Sequence, residues 1–164
     1  MRETIKKKVL SNSEIFKALI DHKRRAIDKG EVGIVREFRI GTGYGRIAMK
    51  RIDAFEISCW PGKGIRVTAY EIKRSVSDFR KEIEQPLKRF PAVIYSNQFY
   101  FLAQKGLLPV DEIPIEAGLL EVHPESLRLY HKISAPEREA FPPTWSMFAS
   151  IARRLSQLEE GYHL

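Results

Sequence analysis

The sequence predicts a single mixed α/β domain, a class favoured by the chain's length and the order of its segments. The chain has 164 residues, of which 43% are hydrophobic, enough to build one substantial core. Segments typical of helices and strands follow one another in the order α-β-β-β-α-β, and a β-hairpin and a last helix come after them. We therefore expect one domain over residues 1–164, with its core at about 11–122 and its C-terminal helix at about 144–160.

The first half of the chain is predicted to contain one helix and three strands. Ser11 is a good N-cap and Glu14 stands at the matching capping-box position, which predicts a helix that runs to about Asp28. Lys29 and Gly30 then end it. Three β-rich segments follow, at residues 31–40, 47–59 and 64–73, separated by glycine-containing turns at 41–45 and 60–64.

The second half is predicted to continue the same mixture. Ser75 is the expected N-cap of a helix that reaches about Gln85, with Pro86 near its end. Strand-like segments follow at residues 92–95 and 99–103, and a hairpin at 118–122 and 126–130, while residues 107–117 form a loop or one short helix. Thr144 caps a final amphipathic helix that runs to about Glu159.

The charge balance favours a polyanionic partner. Lys and Arg number 28 against 21 Asp and Glu, which gives a net charge of +7 and a pI near 9.6. Such an excess is typical of proteins that bind nucleic acid, which is the first partner we expect.

Several features of the sequence point to a cytoplasmic protein. No run of about 18 apolar residues predicts a membrane span, and the charged segment MRETIKKKVL lacks the apolar stretch of a secretory signal. The single cysteine, Cys59, excludes an internal disulfide and a cysteine-rich zinc site. We expect no membrane partner, and the sequence leaves open whether the chain forms a homodimer.

Glu71 and Lys73 are two residues apart in the third predicted strand. Because side chains alternate along a strand, both project from the same side, about 7 Å apart. If residues 60–64 form a five-residue turn, opposed positions in the hairpin have residue numbers that sum to 124, and Asp53 lies opposite Glu71. A bulge or a shift of one residue would separate the two acids, so this placement depends on the register.

This pattern suits metal-assisted hydrolysis of a phosphodiester. Carboxylate oxygens are the ligands that Mg²⁺ prefers, with Mn²⁺ as the expected substitute, and the ion lowers the pKa of a bound water. Asp53 and Glu71 are therefore candidate catalytic residues and metal ligands, and Lys73 is a candidate catalytic residue that orients the attacking water or stabilises charge on the phosphate. The alternative is a solvated Glu71–Lys73 ion pair, with Asp53 as a strand-edge charge that blocks aggregation.

A set of short motifs lies in order between about residues 32 and 122. Besides Asp53 and Glu71-Ile-Lys73, they are RIDAF (51–55), YEIKRSVSDF (70–79), YSNQFYF (95–101), KGL (105–107) and GLLEV (118–122). Together they resemble the PD-(D/E)XK nuclease superfamily and, within it, the MmcB-like group associated with DNA repair.

The resemblance implies a fold and an activity. The implied fold is a restriction-endonuclease-like αβββαβ core with a mixed central sheet. The implied activity is Mg²⁺-dependent cleavage of DNA, as an endonuclease or an exonuclease, in repair, recombination or phage and restriction DNA processing. A DNA-binding module without catalysis on the same fold is the alternative.

A third acid is expected to join Asp53 and Glu71. Glu37 is the first choice, because it lies on the preceding strand and an even pairing sum puts it on the same face; a solvent-facing glutamate is the alternative. Glu14 is the substitute, since the resemblance implies an acid from the first helix, although its capping-box role explains it locally.

Contacts with DNA are expected from polar, basic and aromatic side chains around these acids. The candidates are Tyr44, Arg46, Arg51, Arg74, Ser75 and Lys88. Arg74 and Ser75 stand at a predicted helix N-terminus, where free N–H groups can bind phosphate, or Ser75 is a cap alone. Tyr44 and Arg46 belong to a glycine-rich segment that either contacts DNA or forms a long hairpin turn.

Overall fold

A computed structural model describes residues 8–41, 51–60, 62 and 64–160 of the chain, without the side chains of residues 159 and 160. The helices and strands, in chain order, are α1 (Asn12–Asp28), β1 (Val32–Arg39), β2 (Arg51–Ser58), β3 (Val67–Lys73), α2 (Val76–Ile83), α3 (Phe90–Ile94), β4 (Gln98–Gln104), β5 (Gly118–Val122), β6 (Leu129–Ile133) and α4 (Trp145–Glu160). Short 3₁₀ turns lie at Pro86–Lys88 and Val110–Glu112.

The strands of the described residues form one six-stranded mixed sheet in chain order. β1, β2 and β3 are antiparallel neighbours, β4 and β5 each run parallel to the strand before, and β6 returns antiparallel to β5. α2 and α3 lie in the crossover from β3 to β4, which a parallel pair requires. The predicted mixed α/β class is confirmed.

Helices cover both faces of the sheet with apolar side chains. α1 buries Ile15, Ala18 and Leu19 on one face. On the other face, side chains of α2, α3 and α4 join the sheet in a second cluster, whose large members are Phe38, Phe55, Phe79, Phe99, Phe101 and Met147. None of the helices in the described ranges is long and apolar enough to cross a bilayer.

The starts of α1, α2 and α4 are those that the sequence predicts. Ser11 Oγ accepts the N–H of Glu14 at 3.2 Å and Glu14 Oε2 accepts the N–H of Ser11 at 2.9 Å, which completes the capping box. Ser75 Oγ caps α2 by accepting the N–H of Asp78 at 3.1 Å. The Thr144 hydroxyl accepts a backbone N–H in the first turn of α4 at 3.3 Å.

The predicted strand at residues 92–95 is wrong, because residues 92–94 belong to α3 and Tyr95 is its C-cap. Pro91 occupies the first turn of that helix, where its fixed φ and missing N–H are favourable. Ser96 Oγ donates to the carbonyl of Ala92 at 2.7 Å and closes the helix end. Short apolar runs with β-branched residues fit a buried helix as well as a strand, so periodicity alone does not separate them.

The last strand begins later than predicted, at Leu129 rather than at Ser126. Leu127 has a φ of 54°, a left-handed conformation outside the region of regular β-strands. Its N–H donates to the carbonyl of His123 at 3.0 Å, so these residues form a turn. β3 also begins later than predicted, at Val67 rather than at Gly64. β2 is described from Arg51, and residues 47–50 of that predicted strand lie outside the described ranges.

Replacing Gly118 by alanine is expected to destabilise the protein by about 1–3 kcal/mol. A Cβ at this position would collide with the ring of Tyr100 on β4 and lie 2.6 Å from the backbone nitrogen of Ala135. Equilibrium urea unfolding followed by circular dichroism measures the change. Gly33→Ala is the matched control, because a Cβ there meets Cys59 Sγ at an ordinary 3.8 Å. Equal losses in both variants would contradict the packing argument.

Candidate active site

The pairing of β2 with β3 has the register that the sequence predicts. From Ala54 opposite Tyr70 to the end of the hairpin, partners have residue numbers that sum to 124. One step beyond Ala54 the ladder ends, and Asp53 Oδ2 accepts the backbone N–H of Ile72 at 2.8 Å. The carboxylate of Asp53 is thereby hydrogen-bonded to the backbone of the residue that follows Glu71.

Lys73 ends β3 in a buried position, with 4% of its surface exposed. Its ammonium forms a salt bridge with Glu82 of α2, and lies 3.4 Å from Asp78 Oδ2 and 3.6 Å from Glu71 Oε1. Burial by itself lowers the pKa of Lys73, but the surrounding carboxylates outweigh burial and the net pKa is raised. Lys73 is therefore a fixed positive charge and a hydrogen-bond donor rather than a base.

Asp53 shares the electrostatic environment of Lys73. Burial raises the pKa of Asp53, while the N–H of Ile72 and the charge of Lys73 reduce that rise without cancelling it. The charge of Glu82 raises the pKa further. Glu71, Asp78 and Glu82 contact the Lys73 ammonium, and the charges of Lys73 and Glu82 act on Asp53. We call these five side chains the Lys73 cluster: Asp53, Glu71, Lys73, Asp78 and Glu82.

Asp78 and Glu82 are the members of the Lys73 cluster that were not predicted as site residues, and Glu82 is the buried one. It lies one helical turn after Asp78, and 8% of its surface is exposed. Its Oε2 binds Lys73, whereas Oε1 is buried without a hydrogen-bond partner among the described residues. Such an atom costs about 1–3 kcal/mol or more, so it marks a place for a water, an ion or a substrate donor. Helical spacing was a usable signal, because it puts Glu82 on the same side of α2 as the core residue Phe79.

The two candidates for a third acid lie in other environments. The β1–β2 ladder skips the rung between Glu37 and Asp53, and Glu37 has a left-handed φ of 51°. Its exposed side chain lies 3.7 Å from Nη1 of Arg51. The carboxylate of Glu14 is taken up by the capping box, and the N–H of Ser11 is the main reason its pKa is lowered to about 2. Neither acid completes a set of three with Asp53 and Glu71 in the described ranges.

The donor chemistry of the Lys73 cluster fits Mg²⁺ or Mn²⁺. Over the residues that the structure describes, no group of three or more His, Cys, Asp or Glu is arranged to hold a metal ion. Mg²⁺ needs fewer protein ligands than that, since it keeps several waters and takes one or two carboxylates plus substrate phosphate. Asp53 and Glu71 are the carboxylates that would hold such an ion, and the unpaired Oε1 of Glu82 adds a hard oxygen to the same cluster.

Arg74 and Ser75 lie at the edge of the Lys73 cluster, where β3 passes into α2. Arg74 is exposed, and its Nε donates to the carbonyl of Leu10 at 3.2 Å, so it also anchors the segment before α1. Ser75 is the N-cap of α2. Both residues therefore have a structural role beside the predicted contact with DNA.

The other predicted DNA contacts are spread over the chain. Arg51 is exposed at the start of β2, and Lys88 is exposed in the 3₁₀ turn after α2. Arg89, next to Lys88, is buried and binds Glu116 Oε1 through Nε at 2.9 Å. Tyr44 and Arg46 lie outside the described residues.

Comparison with known proteins shows a fold relationship alone. No protein-family model and no curated protein matches the chain. A solved structure of a protein of unknown function from Silicibacter pomeroyi is similar to it, with a TM-score of 0.63 and 18% sequence identity, covering 93% of this chain and 94% of that one. At this identity the likeness is one of fold, and the PD-(D/E)XK resemblance stays a prediction.

Proposed function

We propose that this chain is a Mg²⁺-dependent deoxyribonuclease that hydrolyses the phosphodiester bonds of DNA. The observation that carries the proposal is the Lys73 cluster, in which a buried ammonium lies among carboxylates and one buried oxygen, Glu82 Oε1, has no partner among the described residues. The net charge of +7 supports a polyanionic substrate. DNA repair, recombination and restriction or phage DNA processing, in the cytoplasm, are the roles that such an activity fits.

Asp53 and Glu71 are the residues that would hold Mg²⁺. The N–H of Ile72 fixes Oδ2 of Asp53 and thereby orients the whole carboxylate. When bound, the ion would polarise the phosphodiester and lower the pKa of a water bound to it.

Lys73 donates hydrogen bonds in the proposed reaction. Its raised pKa keeps the ammonium protonated, so it orients the attacking water and stabilises the charge that develops on the phosphate. Glu82 acts through Lys73 and is a positioning residue, because its salt bridge holds the ammonium at the end of β3.

The second candidate function is a DNA-binding module without catalysis. It is favoured by the fact that the Lys73 ammonium already pairs with Glu82 and that Asp53 already accepts the N–H of Ile72, since both contacts stabilise the fold without any reaction. This candidate predicts DNA binding that is indifferent to Mg²⁺ and to the charge of Glu71. The nuclease predicts cleavage that EDTA abolishes.

Glu71→Gln and Lys73→Met are expected to reduce DNA cleavage by about 100-fold or more, because each removes a charge that acts on the reacting phosphate. DNA binding should persist. The measurement is cleavage of linear, nicked, single-stranded and branched DNA in Mg²⁺, Mn²⁺ or EDTA, with binding followed separately by fluorescence anisotropy. Glu84→Gln and Lys81→Met are the matched controls, because both side chains are exposed on or beside α2.

Lys73→Met leaves buried acids without their counter-charge and risks unfolding, so Glu71→Gln, which keeps the side chain's shape, decides the test. Circular dichroism establishes that each variant is folded. Parental cleavage by folded Glu71→Gln would refute the site. Binding without cleavage of any of the four substrates by the parent would favour the second candidate.

Glu82→Gln is expected to shift the alkaline limb of the pH–rate profile to lower pH. The negative charge of Glu82 raises the pKa of Lys73, so its removal lowers that pKa and the ammonium loses its proton at a lower pH. The profile of kcat against pH, compared with that of Glu84→Gln, measures the shift. An unmoved limb would show that Glu82 is a structural partner alone.

The carboxyl group of Asp53 is expected to titrate above the ordinary range of aspartate in metal-free protein, because burial raises its pKa. Glu82→Gln should lower this pKa, since the charge of Glu82 is one of the effects that raise it. Carbon-detected NMR titration of the side-chain carboxyl in EDTA follows the change, with Glu84→Gln as the control. An ordinary pKa in the parent would contradict the described burial of the site.

A further inference from the structure

A cleft lined by arginines lies between the β1–β2 strand pair and α4. Its volume is about 330 Å³. Arg39 of β1 and Arg51 of β2 form one wall, and Arg153 and Arg154 of α4 form the other. We call these four residues the arginine cleft.

The arginine cleft concentrates positive charge that the described residues neutralise only in part. Glu37 lines the same cleft and lies 3.7 Å from Nη1 of Arg51. Over the described ranges, the side chains of Arg39, Arg153 and Arg154 make no salt bridge. Guanidinium groups crowded around one cavity repel each other, so an anion bound between them would stabilise the arrangement.

The helical wall of the cleft follows from the periodicity of α4. Met147 and Ile151 pack against the apolar cluster on the sheet. Arg154, three positions after Ile151 and seven after Met147, lies on the same side of α4 as these contacts. Ser150, Arg153 and Gln157 lie beside it on the helix surface and line the cleft with it. The packing of α4 therefore brings its two arginines opposite Arg39 and Arg51.

The lining of the cleft indicates which anion it takes. Guanidinium groups bind phosphate through two parallel hydrogen bonds, and arginine suits this contact better than lysine. The aromatic residue in the lining, Phe38, has 1% of its surface exposed, so it offers no face on which a base could stack. The described lining is thus suited to a chain of phosphates and offers no aromatic face for a base to stack on.

Arg51 connects the arginine cleft to the Lys73 cluster. It lines the cleft and stands two residues before Asp53 on β2. Its positive charge also acts on the carboxylate of Asp53. A phosphate chain in the cleft therefore lies beside the strand that carries the proposed metal ligand.

We propose that the arginine cleft binds the phosphodiester backbone of DNA and leads the strand toward Asp53. The choice of DNA as the polyanion rests on the proposed function. The binding itself depends on the geometry and charge of the cleft.

Duplex DNA binding in EDTA, measured by fluorescence anisotropy at several salt concentrations, tests the proposal without any cleavage. Arg153→Gln/Arg154→Gln should weaken binding about tenfold or more at 50 mM salt, and reduce the slope of log K against log salt by about 2. Arg128→Gln/Lys132→Gln removes the same charge from exposed positions at and beside the far edge strand β6, and should leave both quantities close to the parental values. Arg39→Gln, on the opposite wall, should reduce the slope by about 1.

Arg153→Lys/Arg154→Lys is the charge-conserving control. It changes the same two positions but keeps both charges, so it should retain the parental slope of log K against log salt. Three results would overturn the proposal: equal weakening by the cleft and far-edge variants, parental binding by a folded cleft variant, and displacement of DNA by ATP at the same phosphate concentration. The test separates the two proposals. A protein that binds through the cleft but never cuts contradicts the nuclease alone, and a nuclease whose binding ignores the cleft variants contradicts the cleft alone.

Discussion

Keeping a lysine ammonium charged inside the protein is the constraint on which the rest of the site depends. Removing a cation from water costs roughly several kcal/mol, and an isolated buried lysine would give up its proton instead. Lys73 stays charged because β3 supplies Glu71 and α2 supplies Asp78 and Glu82. α2 must therefore begin directly after the strand and lie against its end, as the Ser75 cap ensures.

Much of this centre can be predicted from the sequence, because a hairpin of known turn length fixes which residues oppose each other. The turn length predicted from the sequence gives the observed register, and strand alternation then brings Asp53, Glu71 and Lys73 to one end of the β2–β3 pair. The alternation of side chains does not predict where the β2–β3 pairing ends. At that point a side chain, Asp53, takes the place of a backbone acceptor for Ile72.

Residues that reach the site from another element are harder to predict. The spacing of apolar residues indicates where a helix lies in the sequence, but it does not predict the angle at which the helix packs. Glu82 is nine positions from Lys73 in the chain and meets it because α2 folds back over β3. The same limit explains the error at residues 92–95, whose apolar pattern fits a short helix and a strand equally well. The arginine cleft depends on how α4 packs on β1, which no local pattern encodes.

The Lys73 cluster and the arginine cleft are opposite in charge and share one strand. An acidic cluster repels a phosphodiester, so a site built from Asp53 and Glu71 alone would hold its substrate away until a cation neutralised it. Arg51, two residues before Asp53, places positive charge on the approach to those acids. In the proposed enzyme, the position of Arg51 and Asp53 on one strand would let the DNA backbone bind beside the acids before Mg²⁺ completes the neutralisation, so that affinity and reaction would depend on different residues.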